Sequence, residues 1–272
     1  MQFLSRARKV SSVERTDATS NNTGDVFRQP DLYDRSIDWS ARLAREVPVL
    51  ADVFGPPGQG GLIDAGCGTG RQACALAERG YRVVGTDASA EMLEAAARLA
   101  TSRAVPVNFV HVPYADLHEA LAGGFDGVYC LGNALAAAST RDAVAEAIGQ
   151  FARCLRLGGR LFVQLLNFAL IRGEVPHVRG PRIARVDGTE YISVRHFQFF
   201  DDHVQVTNIT LWYEGCWRQR SHVGNLYPVL LDELRALCER SNLRVDDVWG
   251  GYERTSFDPA SSTDLLLAAT RV

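Results

Sequence analysis

Leu62-Ile63-Asp64-Ala65-Gly66-Cys67-Gly68-Thr69-Gly70 reads as a buried strand that runs into a glycine loop and then a helix. The next apolar run, Tyr81-Arg82-Val83-Val84-Gly85-Thr86, ends at Asp87. A loop bare of side chains beside an open helix N-terminus can hold a nucleoside-bearing cofactor. An acid at the end of the following strand can take ribose hydroxyls.

Outward from this stretch, short apolar strands alternate with helices. Strands are expected at Leu62–Ala65, Tyr81–Thr86, Val107–Val112, Phe125–Leu131 and Arg160–Leu166. Helices are expected near Arg71–Arg79, closed by Gly80, and after Ser89, which can cap a face of Met92, Leu93, Ala96 and Leu99. Val144, Ile148, Phe151 and Leu155 mark another helix, stopped by Gly158-Gly159. Leu230–Ser241 is helical in spacing, and Arg244–Trp249 and Asp264–Ala269 read as two closing strands. This alternation implies a mostly parallel, doubly wound α/β sheet of seven strands. Upstream, Leu43, Val47, Leu50 and Phe54 have helical spacing, and Pro48 is expected to divide them into two helices.

The rhythm breaks after Leu170. Tyr191–Phe197 and Val204–Tyr213 alternate at period two around Asp201-Asp202, an antiparallel hairpin inserted over roughly 171–226. Its aromatics, Tyr191, Phe197, Phe199, Phe200, Trp212, Tyr213 and Trp217, are expected to roof the acceptor pocket, or else to form a subunit interface or pack the sheet. Residues 1–28 are polar without apolar period and read as a flexible tail before a domain over 29–272.

Composition narrows the function. The 272 residues are 46% hydrophobic with a net charge of −3, which suits one large domain and not a nucleic-acid surface. No apolar run is long enough to span a membrane, and the expected location is cytoplasmic. The six cysteines have no Cys-x-x-Cys spacing, so no metal site is expected. Lys9 is the only lysine and lies in the polar tail. It is poorly placed for the Schiff base of a pyridoxal-phosphate enzyme or the phosphates of a P-loop.

Three loops compete for Asp64–Gly70. A P-loop fails because Arg71-Gln72 follows Gly70, and a dinucleotide fingerprint fails at its third glycine, where Arg71 stands. The Asp-x-Gly-x-Gly-x-Gly pattern is filled throughout by Asp64, Gly66, Gly68 and Gly70. With Asp87, with Ala115-Asp116 after the third strand and with a fourth strand opening at Phe125-Asp126, the chain resembles the class I S-adenosylmethionine-dependent methyltransferases. The resemblance covers roughly Tyr33 to Val272 and implies their Rossmann-like fold. It implies that Asp64, Ala65, Gly66, Gly68 and Gly70 lie against S-adenosylmethionine. It also implies that Asp87, beside Ala88 and Met92, takes the ribose hydroxyls and that Asp116 reaches the adenine amine.

Leu131-Gly132-Asn133 is similar to the matching stretch of glycine and sarcosine N-methyltransferases, as are Asp87-Ala88-Ser89 with Met92-Leu93, Asn167-Phe168 and Leu226-Tyr227-Pro228. The resemblance places Leu131 and Gly132 at the cofactor and Asn133 and Tyr227 at the acceptor, with Tyr33, Trp39 and Arg42 covering the cofactor. It weakens in the inserted region, which would choose the acceptor. The implied reaction is an in-line methyl transfer to a small molecule, leaving S-adenosylhomocysteine. Nitrogen is the expected attacked atom. The alternatives are oxygen or carbon of a natural product, and a non-catalytic binding module. His111, His177, His196, His203 and His222 are the candidate bases beside Tyr227. The oligomeric state is left open.

Overall fold

The computed structural model describes residues 30–174 and 176–272, so the expected tail lies outside the described residues. The chain builds two sheets. The larger has seven strands: β1 (Leu62–Ala65), β2 (Val83–Asp87), β3 (Val107–His111), β4 (Phe125–Cys130), β5 (Leu155–Leu166), β10 (Leu243–Trp249) and β11 (Asp264–Arg271). Their order is β10-β11-β5-β4-β1-β2-β3. β1 to β5 pair in parallel, and β11 is antiparallel to both β5 and β10. β1 is buried at every residue, as a central parallel strand covered on both faces must be. Strand order reverses between β1 and β4, so the crevice beyond their carboxyl ends is where such a sheet takes its ligand.

The helices fill the two faces. α4 (Ala90–Arg103) starts where the Ser89 side chain accepts from the Met92 N–H at 3.2 Å. α6 (Arg141–Cys154) is capped by Thr140 and buries Val144, Ile148 and Phe151 at helical spacing. α3 (Arg71–Ala77), α5 (Leu117–Leu121), α7 (Phe168–Gly173) and α8 (Leu231–Arg240) complete the cover.

Three expectations change. First, α2 (Trp39–Phe54) runs unbroken through Pro48. Pro48 and Ala44, whose carbonyl loses its partner, are both exposed, so water can satisfy that oxygen. The opposite face, with Val47, Leu50 and Val53, is held in the core. Second, α6 ends at Cys154 and β5 begins at Leu155, so Gly158-Gly159 interrupts a strand and does not stop a helix. The pairing jumps there, from Phe125 with Leu155 to Gly127 with Arg160, and Gly158 has φ +72°.

Third, the inserted hairpin is the centre of a four-stranded antiparallel sheet: β6 (Val178–Val186), β7 (Thr189–Phe199), β8 (Val204–Tyr213) and β9 (Trp217–Leu226). The two outer strands are mostly exposed and carry arginines in place of apolar residues, which hides their period. The inner face of this sheet sets Phe197, Val204 and Val206 into the main core. Phe200, Tyr213 and Trp217 are exposed.

Candidate active site

The glycine loop leaves β1 at Ala65 and enters α3 at Arg71. Gly66 and Cys67 both donate their N–H groups to the Thr86 carbonyl at 2.8 Å, which ties the loop to the end of β2. Gly66 has φ +74°, and a Cβ there would meet the Tyr114 hydroxyl and stand 3.0 Å from Ala134 Cβ. Gly70 has φ +70°, and a Cβ there would press on Ala96 and Phe109 at 2.8 Å. Both positions therefore exclude side chains for two separate reasons, backbone conformation and space.

Asp87 closes the loop on its second side. Its Oδ2 accepts from the Gly68 N–H and its Oδ1 from the Ser89 N–H, both at 2.9 Å. Each oxygen keeps a lone pair for a further donor. Burial pushes this carboxyl up, against the pull of those backbone donors. Ala88 is exposed beside it, Met92 is buried behind it, and His111 Nε2 is engaged by the Ala88 carbonyl at 3.0 Å. Asp116 and Ala115 follow β3 at the same edge and are exposed. The Asp116 side chain makes no capping bond to α5, so helix capping does not account for that acid.

Asp64 lies at the floor. It is 3% exposed, and its Oδ2 has no hydrogen-bond partner; nor has the buried Tyr129 hydroxyl. Burial pushes the Asp64 carboxyl up to about 8, opposed by Tyr129 and Arg42 and reinforced by Asp87 and Glu46. A buried carboxyl oxygen without a bonded partner leaves a place for a donor.

The wall opposite is made by α1 (Pro30–Arg35) and α2. Asp34 accepts from Thr69 Oγ1 at 2.6 Å and from Arg71 Nη2 at 2.5 Å, which clasps α1 onto the glycine loop. Tyr33 comes within 3.8 Å of where a Gly68 Cβ would be, and its ring lies 5.9 Å from that of Trp39. Arg42 stacks over Trp39 at 5.0 Å and donates to Glu46 at 2.7 Å, while Gln72 holds the other Glu46 oxygen at 2.8 Å. A Cβ on Gly132, the exposed glycine just beyond β4, would stand 2.9 Å from Arg42 Nη2. The structure therefore brings Tyr33, Trp39, Arg42, the loop and Gly132 together.

Leu131 is buried at the end of β4, and Gly132 N–H donates to Gln164 at 2.7 Å. Asn133 has φ +65° and accepts the Leu166 N–H on Oδ1 at 3.0 Å. Its oxygen is thereby fixed in place, and its amide N–H donors are left to offer. Tyr227 donates its backbone N–H to the Ala136 carbonyl at 2.8 Å, three residues beyond Asn133. Its hydroxyl donates to Glu233 at 3.0 Å, and Glu233 is also gripped by Arg141 at 2.7 Å. The Tyr227 hydroxyl is therefore engaged by a carboxylate that an arginine also holds. His177 meets the Arg172 carbonyl at 3.3 Å and His203 meets Asp202 at 2.7 Å, both away from the loop.

The antiparallel sheet adds residues that the sequence reading missed. Arg182 and Arg195 lie on its inner side, the second on the same face as buried Tyr191 and Phe197. Burial, helped by Arg182 and opposed by Tyr33, pulls Arg195 down to about 10; Arg182, on the exposed outer strand, is lowered by partial desolvation and by Arg42, Arg45 and Arg179, against the Asp264 charge that raises it. Arg35 of α1 reaches the Tyr191 hydroxyl at 3.1 Å, so one short helix touches both the loop and this sheet.

The chain is similar to known methyltransferases in sequence and fold. A methyltransferase-domain family model matches residues 62–159. The glycine/sarcosine N-methyltransferase of Parasynechococcus marenigrum is 25% identical over 230 residues, 84% of this chain and 79% of that protein. That of Aphanothece halophytica is 29% identical over 223 residues, 82% and 81% of the two chains. Among solved structures, the CcbJ methyltransferase from Streptomyces caelestis superposes with a TM-score of 0.72 at 21% identity, covering 90% of this chain and 96% of its own.

Proposed function

We propose that the chain is a class I S-adenosylmethionine-dependent methyltransferase and that it methylates a nitrogen of a small molecule. The observation that carries this reading is the meeting of Asp64, Arg42 and Gly132 around the switch point between β1 and β4. S-adenosylmethionine supplies a methyl group on a sulfonium, whose departure leaves a neutral thioether.

The cofactor's amino-acid end is a zwitterion, and the site has one counter-charge for each half. The orphaned Asp64 Oδ2 would take the ammonium, and Arg42, already half neutralised by Glu46, would take the carboxylate. Asp87 would hold the ribose hydroxyls and Asp116 the adenine amine. Ala65, Gly66, Gly68 and Gly70 would give backbone surface, with Tyr33 and Trp39 as cover.

A nitrogen nucleophile must arrive without its proton. Arg42, Arg182 and Arg195 surround the approach with positive charge, which disfavours an ammonium and keeps the amine basic pair free. Asn133, with its oxygen fixed on Leu166, would orient the acceptor with its amide donors. Holding both reactants in line can supply ~7–11 kcal/mol of the rate enhancement. The relatives named for N-methyl transfer, matched across most of their length, support nitrogen over oxygen.

The test is a screen of amines, alcohols and carbon acids with S-adenosylmethionine, read by mass spectrometry for one added methyl group and its position. Methylated amines are the expected products. Turnover confined to alcohols or carbon acids rules out the nitrogen assignment.

A further inference from the structure

The inner face of the antiparallel sheet changes character along its length. Around Phe197, Val204 and Val206 it is apolar and closed on the core. Further along, Arg195 stands directly opposite Arg179, and Arg182 directly opposite Ser193. Like charges facing each other across an antiparallel pair are destabilising. Arg179 is relieved by Glu174 at 2.9 Å, yet its Nε is buried without a partner, as is Ser193 Oγ. Among the described residues, Arg182 and Arg195 make no hydrogen bond or ion pair. Of the carboxylates nearby, Glu46 is held by Arg42 and Gln72, while Asp264, held by Gln164 at 2.8 Å, acts on Arg182 without pairing with it. Arg182, Arg195 and Ser193 share one face of the sheet, with no acceptor among the described residues bonded to any of them.

We propose that Arg182 and Arg195, with Ser193, hold a doubly charged phosphate-type group carried by the methyl acceptor. Two guanidiniums stand without an ion-pair partner, and Asp264 offsets only Arg182. A single carboxylate would neutralise one and leave the other beside Arg179, still unpaired. A phosphate presents several oxygens and close to two negative charges, enough for both forks and the serine hydroxyl. Arg42 connects this anchor to the reacting end, since it lies against Gly132 and is among the charges that act on both Arg182 and Arg195. The inference rests on the reading that the acceptor occupies the cleft beneath this sheet.

The test uses the full chain saturated with S-adenosylhomocysteine. Inorganic phosphate, pyrophosphate and acetate are titrated calorimetrically at constant ionic strength into the parent protein, Arg182→Gln, Arg195→Gln and the double variant. Phosphate or pyrophosphate is expected to bind where acetate does not, and the tighter of the two tells a monophosphate from a diphosphate. Each single variant should weaken that binding about tenfold or more, the value of one charge-assisted contact. S-adenosylhomocysteine affinity should stay unchanged in all variants. Removing a repelled arginine should also leave the ligand-free melting temperature equal or higher, which separates lost binding from lost folding. Acetate binding as tightly as phosphate overturns the inference. So does phosphate affinity that survives in the double variant, which would mean an adventitious ion only. The two readings fail separately. If only phosphate-free amines are methylated, this inference falls and the nitrogen assignment stands. If a phosphorylated acceptor gains its methyl on oxygen, the reverse holds.

Discussion

The Gly68 N–H donates to Asp87 Oδ2 at 2.9 Å, so the residue that ends β2 also fixes the shape of the glycine loop. Asp87 therefore serves the loop and, as proposed, the ribose at once. Asp87→Ala should lower S-adenosylhomocysteine affinity by about a hundredfold or more, the loss of two charge-assisted bonds at ~1.5–3 kcal/mol each. Asp87→Asn keeps one acceptor oxygen and should fall between. Calorimetric titration measures both. An alanine variant that binds within a few-fold of the parent would remove Asp87 from the site.

Asp34 is the clasp of α1. Its carboxylate binds Thr69 and Arg71 in a pair that is about three-quarters shielded on each side, 24% and 22% exposed. Such a bond is worth more than a surface ion pair, about 1–2 kcal/mol. Asp34→Ala should release α1 from the loop, open a protease-sensitive site ahead of Trp39, and weaken S-adenosylhomocysteine binding about tenfold. Limited proteolysis with and without ligand reads the first effect. Equal cleavage of parent and variant would show that the clasp does not hold the helix.

Much of this arrangement is legible in the chain. The loop at Asp64–Gly70, Asp87 and the strand ending at Leu131 are local patterns, and local patterns survive folding unchanged. What was not legible depends on pairing between distant segments. Pro48 reads as a break because its neighbours' exposure cannot be seen in one dimension. The link of Tyr227 to Glu233 and Arg141 is hidden too, because nothing local announces Arg141, far back in the chain, as its third member. The arginines of the antiparallel sheet are the instructive miss. Tyr191, Ser193, Arg195 and Phe197 alternate on one face, so a charge set in the inward row was visible before its surroundings were known.

Asp64 gives the site a pH dependence whose sign follows from burial. Its folded carboxyl is near 8, whereas an unfolded aspartate titrates at about 3.9. Between those values the unfolded chain binds fewer protons, so ligand-free stability falls as pH rises from about 4 to about 8. Asp64→Asn should remove that fall and melt higher than the parent near the upper end. Binding runs the other way. The cofactor's ammonium needs the ionised carboxylate, so affinity should rise by up to about tenfold per unit from about pH 6 to about pH 8. The charged and titratable neighbours Asp87, Glu46, Arg42 and Tyr129 are common to parent and variant. A pH-independent dissociation constant in the parent would show that Asp64 does not meet the ammonium.

Asn133 combines a structural and a proposed chemical duty, and two substitutions separate them. Its oxygen accepts the Leu166 N–H and so stitches the end of β4 to β5. Its backbone sits at φ +65°, a conformation that asparagine and aspartate tolerate better than alanine does. Asn133→Ala should therefore cost about 1–3 kcal/mol of stability through the unpaired Leu166 N–H, with a further small loss from the backbone. Asn133→Asp keeps an acceptor for Leu166 and suits the same φ, so its melting temperature should stay near that of the parent. It loses the amide donors and places a carboxylate where the acceptor would lie. With S-adenosylhomocysteine affinity unchanged, kcat on any amine found in the screen should drop by about tenfold or more. If the aspartate variant turns over at the parent's rate, Asn133 is a stitch between strands and the acceptor is oriented by other groups.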